Sequence, residues 1–591
     1  MGNSDSRTIF REHIQQLVNE DLSSSYEFWN SLFTLDASMQ DIFQMVSDED
    51  ISRLLADYRP NFFKIIEYCT LNIEQSSSKI LSLDQQQIIC TSNSVKILTR
   101  IIPSTYKLLN YLQFWWESKR LPALVKSVLD LMHTQVYTVT ASLSIKKSDG
   151  IVLALLWKEG LLLKAPTVEV GDNVWLRRYE LLLFIKSCLA DIFPELKVSP
   201  SANFLVTQNC TLQLVYSLLN TLITFNPNGL WSLPYSSYLN TSNKEKCLKI
   251  GLQIICLLNY CTPIQPSNLL ISNVKNVIKG INAREDLFLI WNALQGLFNS
   301  IMTANNTYLP GSQKSFKLNE EILMILLTFI NENEGFIHAL ISQETCLKIV
   351  PWILNVALLT KKKTTTCLCA YLLIKLSEHR KFCVYLNAPL LTCQLDLPLF
   401  SGTYADLCII SISKLILNNT LSEFSSLVLY LNFLCNISPF CKEICQLASH
   451  SLIKVLQGLS VSYFSEESSH EALTLHLEIL ASLIQYQYRG SYHMIYWLLQ
   501  NSNLIYKLEK SSIYKQTPYP EVCHLVVQNL KDLKILPVAQ FCEDIKSITL
   551  VGILPQPHQI VTRRINFEDE KMLSFVFQMF FLSDNSQVVF E

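Results

Sequence analysis

Apolar residues in this chain recur with the period of a helix, and in the richest segments they run nearly all the way round it. Residues 173–193, NVWLRRYELLLFIKSCLADIF, place apolar side chains three and four apart and then spread them over most of the circumference. A helix of that kind has to be buried on most of its surface. Similar segments lie near residues 38–56, 84–101, 208–225, 245–261, 284–302, 317–331, 344–378, 403–435, 440–459 and 466–500. Two of them carry capping-box starts, Ser47 with Asp50 and Ser468 with Glu471. No alternating Val/Ile/Thr run is bounded by the Asn-Gly or Asp-Gly signals of a hairpin. These patterns predict an all-α fold, an irregular α-solenoid or stacked helical array of the HEAT or armadillo kind. No repeat of roughly 34 to 47 residues recurs as sequence.

Composition narrows the class of protein. Hydrophobic residues make up 49% and charged residues 17%, against about 25% charged in an ordinary domain. The formal net charge of −2 leaves no large basic footprint, so no nucleic-acid partner is expected. The most apolar runs, residues 321–330 and 367–376, end at polar or charged groups, well short of the ~20 apolar positions a membrane-spanning helix needs. The first residues are polar and lack the apolar core of a signal peptide. The expectation is therefore a cytosolic chain, soluble or peripheral to a membrane. The 18 cysteines agree, because Cys69, Cys188, Cys256 and Cys435 sit singly in apolar helical contexts, where reduced thiols behave as small hydrophobes.

Motifs with chemistry are few. No Gly-rich phosphate loop, dinucleotide fingerprint or nucleophile elbow is present. His470-Glu471 and His476 resemble a zinc helix at a glance, but six-residue spacing turns the two imidazoles roughly 120° apart. Cys367 with Cys369 and Cys441 with Cys445 lack a second pair at metal-ligand spacing. No catalytic, metal-binding or cofactor-binding residue is assigned, and no small-molecule substrate is expected. Lys361, Lys362 and Lys363 read as a solvated loop between two helical segments. Phe114, Trp115 and Trp116 read as a core cluster at a helix end.

The first six residues, Met1-Gly2-Asn3-Ser4-Asp5-Ser6, fit the N-myristoylation pattern. Removal of Met1 would expose the unhindered amine of Gly2, and Ser6 supplies the hydroxyl that the pattern requires. A single myristoyl chain holds a membrane only marginally and reversibly. Arg7 and Arg11 are offset by Asp5 and Glu12, so a second membrane-targeting signal has to come from elsewhere in the folded chain. The expected organisation is an anchor segment at 1–20, a helical-array body at 21–509, a short linker at 510–521, and a C-terminal helical subdomain at 522–591 packing on the body.

Several blocks resemble a known family. Met1 to Arg7, Phe10, Phe28-Trp29 with Leu32-Phe33, residues 97–103, Pro227 with Gly229 and Pro234-Tyr235, and Arg284-Glu285-Asp286 match in order. They are followed by Tyr308-Leu309-Pro310 with Ser312, Leu386-Asn387 with Pro389, and Asp396 with Pro398. Phe400, Gly402-Thr403 and Ala405-Asp406 come next, then residues 484–487 and the stretch 550–558. The chain resembles the high-temperature-induced dauer formation family, myristoylated peripheral Golgi proteins distantly similar to dymeclin. Larger animal members carry a long polar insertion where this chain has only the stretch 510–521.

The resemblance implies a non-catalytic scaffold or adaptor at the Golgi and trans-Golgi. Its implied work is vesicle trafficking and protein sorting, or recruitment of cytosolic partners such as a ubiquitin-pathway enzyme to Golgi membranes. It implies no catalytic residues. Within the matched blocks, Gly402 and Gly552 supply backbone freedom, Pro398, Pro555 and Pro557 fix interhelical paths, and Asp406 caps or hydrogen-bonds its turn. The functional alternative makes 396–406 and 550–558 a partner-binding edge displaying Asp396, Pro398, Gly402, Asp406, Gly552, Pro555, Pro557 and His558. Two other readings stand beside the scaffold. One is a soluble helical adaptor recruited only through protein contacts; the other is a cryptic enzyme with a pocket of converging His, Cys or carboxylate groups.

Overall fold

Four helix starts among the described residues are set by polar side chains that bind their own backbone. Ser38 with Asp41, Ser47 with Asp50, Asp84 with Gln87 and Thr403 with Asp406 each form a reciprocal capping box. Each box satisfies two backbone N–H groups that the first helical turn leaves bare, worth about 1 kcal/mol. Ser47 and Asp50 do so as their spacing predicts.

The structure is a computed structural model. It describes residues 3–509, 562–565 and 569–581, apart from 36, 80–82, 107–111, 133, 135–136, 139–170, 192–198, 209, 226–241, 261–272, 306–316, 343, 392–394, 419–423, 464–469 and 488. Gly2, Ser468, the linker 510–521 and the block 550–558 with Gly552, Pro555, Pro557 and His558 lie outside the described residues. Among those described, the fold is all-α, and the one β feature is an isolated antiparallel bridge between Pro389 and Thr403. No described helix is long and apolar enough to cross a membrane.

The chain divides into two units: residues Met1–Asn226, Ser237–Ala293 and Glu568–Glu591, and residues Pro227–Ser236 and Leu294–Phe567. In the first unit, helices Arg59–Ser78, Gln85–Thr105, Asp172–Cys188 and Asn243–Tyr260 pack side by side in that order, and Asp569–Phe581 packs on the last. The Asp172–Cys188 helix is enclosed as its sequence predicts, with Leu181 through Cys188 all buried. The Asn3–Leu17 helix turns Phe10, Ile14 and Leu17 inward against its neighbours Tyr26–Thr34 and Met39–Met45. Most of the N-terminal segment is therefore a folded amphipathic helix. Trp115 is fully buried and donates from Nε1 to Thr105 Oγ1 at 3.0 Å, while Phe114 packs near Phe62 and Phe63. This is the core cluster expected there.

The second unit is a two-layer array. One row runs Asn319–Glu332, Lys363–Ser377, Phe424–Ile437 and His470–Gln487. The other runs Ile349–Leu359, Tyr404–Leu417, Gln446–Tyr463 and Tyr492–Gln500, and contacts cross between the rows. Stacking of this kind buries each helix on several sides, which explains why the apolar stripe widens to most of the circumference. Lys362 is committed to Glu320 at 3.1 Å. Cys69, Cys188, Cys256 and Cys435 are buried thiols outside any disulfide, as their contexts predict.

His476 is fully buried in the second unit, its Nε2 2.9 Å from the carbonyl of Leu452. Burial lowers its pKa from the ordinary 6.5 to about 4. The unfolded chain then takes up a proton that the folded chain refuses. This contribution to stability is intact above pH ~6.5 and is lost as the pH falls toward 4. Between pH 7 and pH 5 the loss should be about 2 kcal/mol. Urea unfolding at the two pH values checks it: His476→Gln should remove most of that pH dependence, and an unchanged slope in the variant would exclude His476 as its source.

Candidate functional site

Three of the sequence blocks meet at one place in the second unit. The turn after the Arg380–Tyr385 helix carries Leu386 to Pro389, and the strand-like approach to the Tyr404–Leu417 helix carries Gly402 and Thr403. These arms are laced together. The N–H of Leu390 donates to Gly402 O at 2.9 Å, that of Tyr404 to Ala388 O at 3.2 Å, and that of Ala405 to Leu386 O at 2.9 Å.

The hub of the junction is the connector at residues 438–445; the sequence pattern places 440–459 in a helical segment, but the helix begins only at Gln446. Asn387 donates to Phe440 O at 2.9 Å and accepts from the N–H of Lys442 at 2.8 Å. Asp406 accepts from the N–H of Cys445 at 2.8 Å. Gln487, last residue of the 484–487 block, is buried and donates to Pro439 O at 3.0 Å. Ile444 donates its N–H to Gly490 O at 3.2 Å. Each pairing satisfies connector backbone that the helices leave unbonded.

The predicted residues take different roles here. Asp406 caps its helix through Oδ2, which accepts from the N–H of Thr403 at 2.8 Å, and holds the connector through Oδ1. Gly402 is required for space, not for backbone freedom, because an added Cβ would stand 2.4 Å from that capping Oδ2. Asp396 is exposed and paired with Lys414 at 3.3 Å. Pro398 is exposed beside Leu399, which is 102% exposed, and Leu391 on the other arm is 90% exposed. The base of the loop is thus pinned by polar bonds, while its rim shows apolar side chains to solvent.

Chemistry at the junction is limited. Burial pushes the Cys445 thiol up to about 12, with the Asp406 charge adding to it, and burial and the same charge also push up the neighbouring thiol of Cys441. Neither is a thiolate at neutral pH, so neither is an activated nucleophile. Elsewhere in this unit a recess of about 320 Å³ is lined by Asn331, Glu334, His338, Lys375, Glu378 and His379. The two imidazole centroids are 6.2 Å apart, and Glu378 is paired with Lys375 at 3.2 Å. His470 is half-buried at the start of its helix while His476 is fully buried. Among the described residues no group of three His, Cys, Asp or Glu is placed to hold a metal ion.

The chain is similar to several known proteins. The chain is 24% identical over 576 residues to Protein HID1 of Homo sapiens, an overlap covering 86% of this chain and 72% of the human one. It is 26% identical over 442 residues to Protein HID1 of Dictyostelium discoideum, covering 67% of this chain and 48% of that one. It is also 22% identical over 458 residues to a Schizosaccharomyces pombe protein named Ubp5-interacting protein ftp105, covering 72% and 46%. A family model described as high-temperature-induced dauer-formation protein matches residues 1–524, close to nine-tenths of the sequence, and the chain belongs to that family.

Proposed function

We propose that this chain is a non-catalytic peripheral membrane scaffold of the Golgi and trans-Golgi, attached through a myristoyl group on Gly2. It holds cytosolic clients at the membrane and acts in vesicle trafficking and protein sorting. The observation that carries this reading is the Gly2 to Ser6 pattern at the head of a chain of this family. A two-layer helical array supports it, since stacked helices offer long surfaces for protein partners. The name of the fission yeast relative records an interaction with Ubp5. We extend a client-holding role of that kind to this chain, with a ubiquitin-pathway enzyme as one such client. The apolar rim at Leu391, Pro398 and Leu399 adds an exposed surface on a rigid base.

A single acyl chain binds membranes with an association constant of only about 10⁴ M⁻¹. Stable attachment then takes the acyl chain and a second signal together, so removal of the acyl chain should shift most of the protein off the membrane. Expressed in its own host, Gly2→Ala is expected to move the bulk of the chain from the Golgi membrane fraction to the soluble one, with unchanged thermal unfolding. Intact mass should show myristate on the wild type alone. A wild-type terminus without myristate, together with a variant that stays Golgi-bound, would favour the adaptor recruited only by protein contacts.

A further inference from the structure

A short non-helical stretch, residues 562–565, lies against helices of one row of the second unit and is held there as a bound peptide would be. Asn436, on the Phe424–Ile437 helix, accepts the N–H of Arg563 through Oδ1 at 2.8 Å and donates from Nδ2 to Arg563 O at 3.0 Å. The same Nδ2 donates to Ser377 Oγ at 2.9 Å, which locks the amide in orientation. The Arg563 guanidinium donates to Asn432 Oδ1 at 3.2 Å and to Glu478 on the next helix of the row. Arg564 is exposed, and its charge acts on His379 in the recess lined by Glu334, His338 and Glu378.

The two kinds of contact divide the work of peptide recognition. A side-chain amide that pairs with both N–H and C=O of one residue grips any extended backbone and ignores its sequence. A carboxylate and an amide oxygen around a guanidinium read arginine specifically, because its planar donors fit them. Asn436 is buried, and beyond its bond to Ser377 the amide spends one donor and its acceptor on the backbone of Arg563.

We propose that the surface formed by Ser377, Asn432, Asn436 and Glu478 is a peptide-binding site for an extended, arginine-bearing segment of a partner protein, occupied in cis by residues 562–565. The chain's own segment is a competitor, and a partner peptide with arginine at the same position displaces it. The inference rests on the scaffold reading only in treating this surface as a client site. Lipidation plays no part in it, so failure here leaves the membrane anchor untouched, and failure of the anchor leaves this site testable.

The test uses the full chain and a fluorescein-labelled synthetic peptide with the sequence of residues 559–568. Arg563→Ala loosens the cis segment and should bind this peptide at least ten times more tightly than the wild type does. Adding Asn436→Leu to that variant should abolish binding, as should replacing the first arginine of the peptide by alanine. A folded Arg563→Ala chain that does not bind the peptide, or binding indifferent to Asn436, overturns the proposal. Hydrogen exchange on the wild type covers a variant that fails to fold. Excess peptide should speed exchange of the Arg563 amide several-fold, and unchanged exchange at saturating peptide overturns the proposal equally.

Discussion

Replacing Lys96 by methionine should destabilise the first unit by about 3–5 kcal/mol, although methionine fills nearly the same volume. Lys96 and Glu180 face each other from adjacent helices with their side chains 7% and 2% exposed, Nζ standing 3.2 Å from Oε1. Lys96 also donates to Ala37 O at 2.8 Å, and Ser92 donates to the other oxygen of Glu180 at 2.5 Å. Burial pushes the Glu180 carboxyl up, and the Lys96 charge is the largest influence opposing it. Without Lys96 the carboxylate is left in an apolar core with a hydroxyl and the more distant Arg177. It will take up a proton to escape that state.

A carboxyl whose folded pKa is raised stabilises the fold less as the pH climbs past its unfolded value of about 4.3. The gap between wild type and variant should therefore be widest at neutral pH and narrow in acid. Changing both partners, Lys96→Met with Glu180→Leu, should recover most of the loss, because no charge is then stranded. Urea unfolding of the wild type and of these two variants at pH 7 and pH 5 measures both effects. A loss below about 1 kcal/mol in the single variant would show that water or another cation reaches Glu180.

Gly490→Ala is expected to cost at least about 3 kcal/mol, among the larger single-methyl effects the core can show. The added Cβ would stand 1.6 Å from the carbonyl oxygen of Lys442 and 2.6 Å from its carbon. Both are backbone atoms, so no rotamer change relieves the clash. The connector must withdraw, and the bond from the Ile444 N–H to Gly490 O goes with it. The bonds from Asn387, Asp406 and Gln487 to the same connector then strain together. Gly296→Ala is the control, since nothing lies within 4 Å of its added Cβ. There the substitution should stabilise its helix by up to about 1 kcal/mol. Thermal unfolding of both variants separates the cases, and equal midpoints would mean that the connector yields without cost.

Much of the architecture was legible because its causes are local. The 172–188 helix announced its enclosure through apolar residues on nearly every face, and the Ser47–Asp50 spacing announced its cap. Asp406 was legible as a cap for the same reason, three residues from Thr403. The second duty of Asp406, accepting from Cys445, was not, since that partner is 39 positions away. Gly402 was read as a conformational requirement, yet the need is steric and visible only once the capping carboxylate is in place. Gly490 carried no turn signal at all, although the approach it permits holds a junction together.

By itself the sequence determined where helices form, where several begin, that their faces must be covered on most sides, and that its first residues match a lipidation pattern. Those properties follow from contacts three or four positions apart, which any stretch of chain carries with it. Only the tertiary structure decided that the blocks around Asn387, Asp406 and Gln487 share one connector, and that Asn436 grips a backbone 127 positions further along. A helix surface can be covered by many different neighbours. A backbone N–H or C=O in a connector instead accepts only a partner at bonding distance and angle. That choice is made when the rows stack.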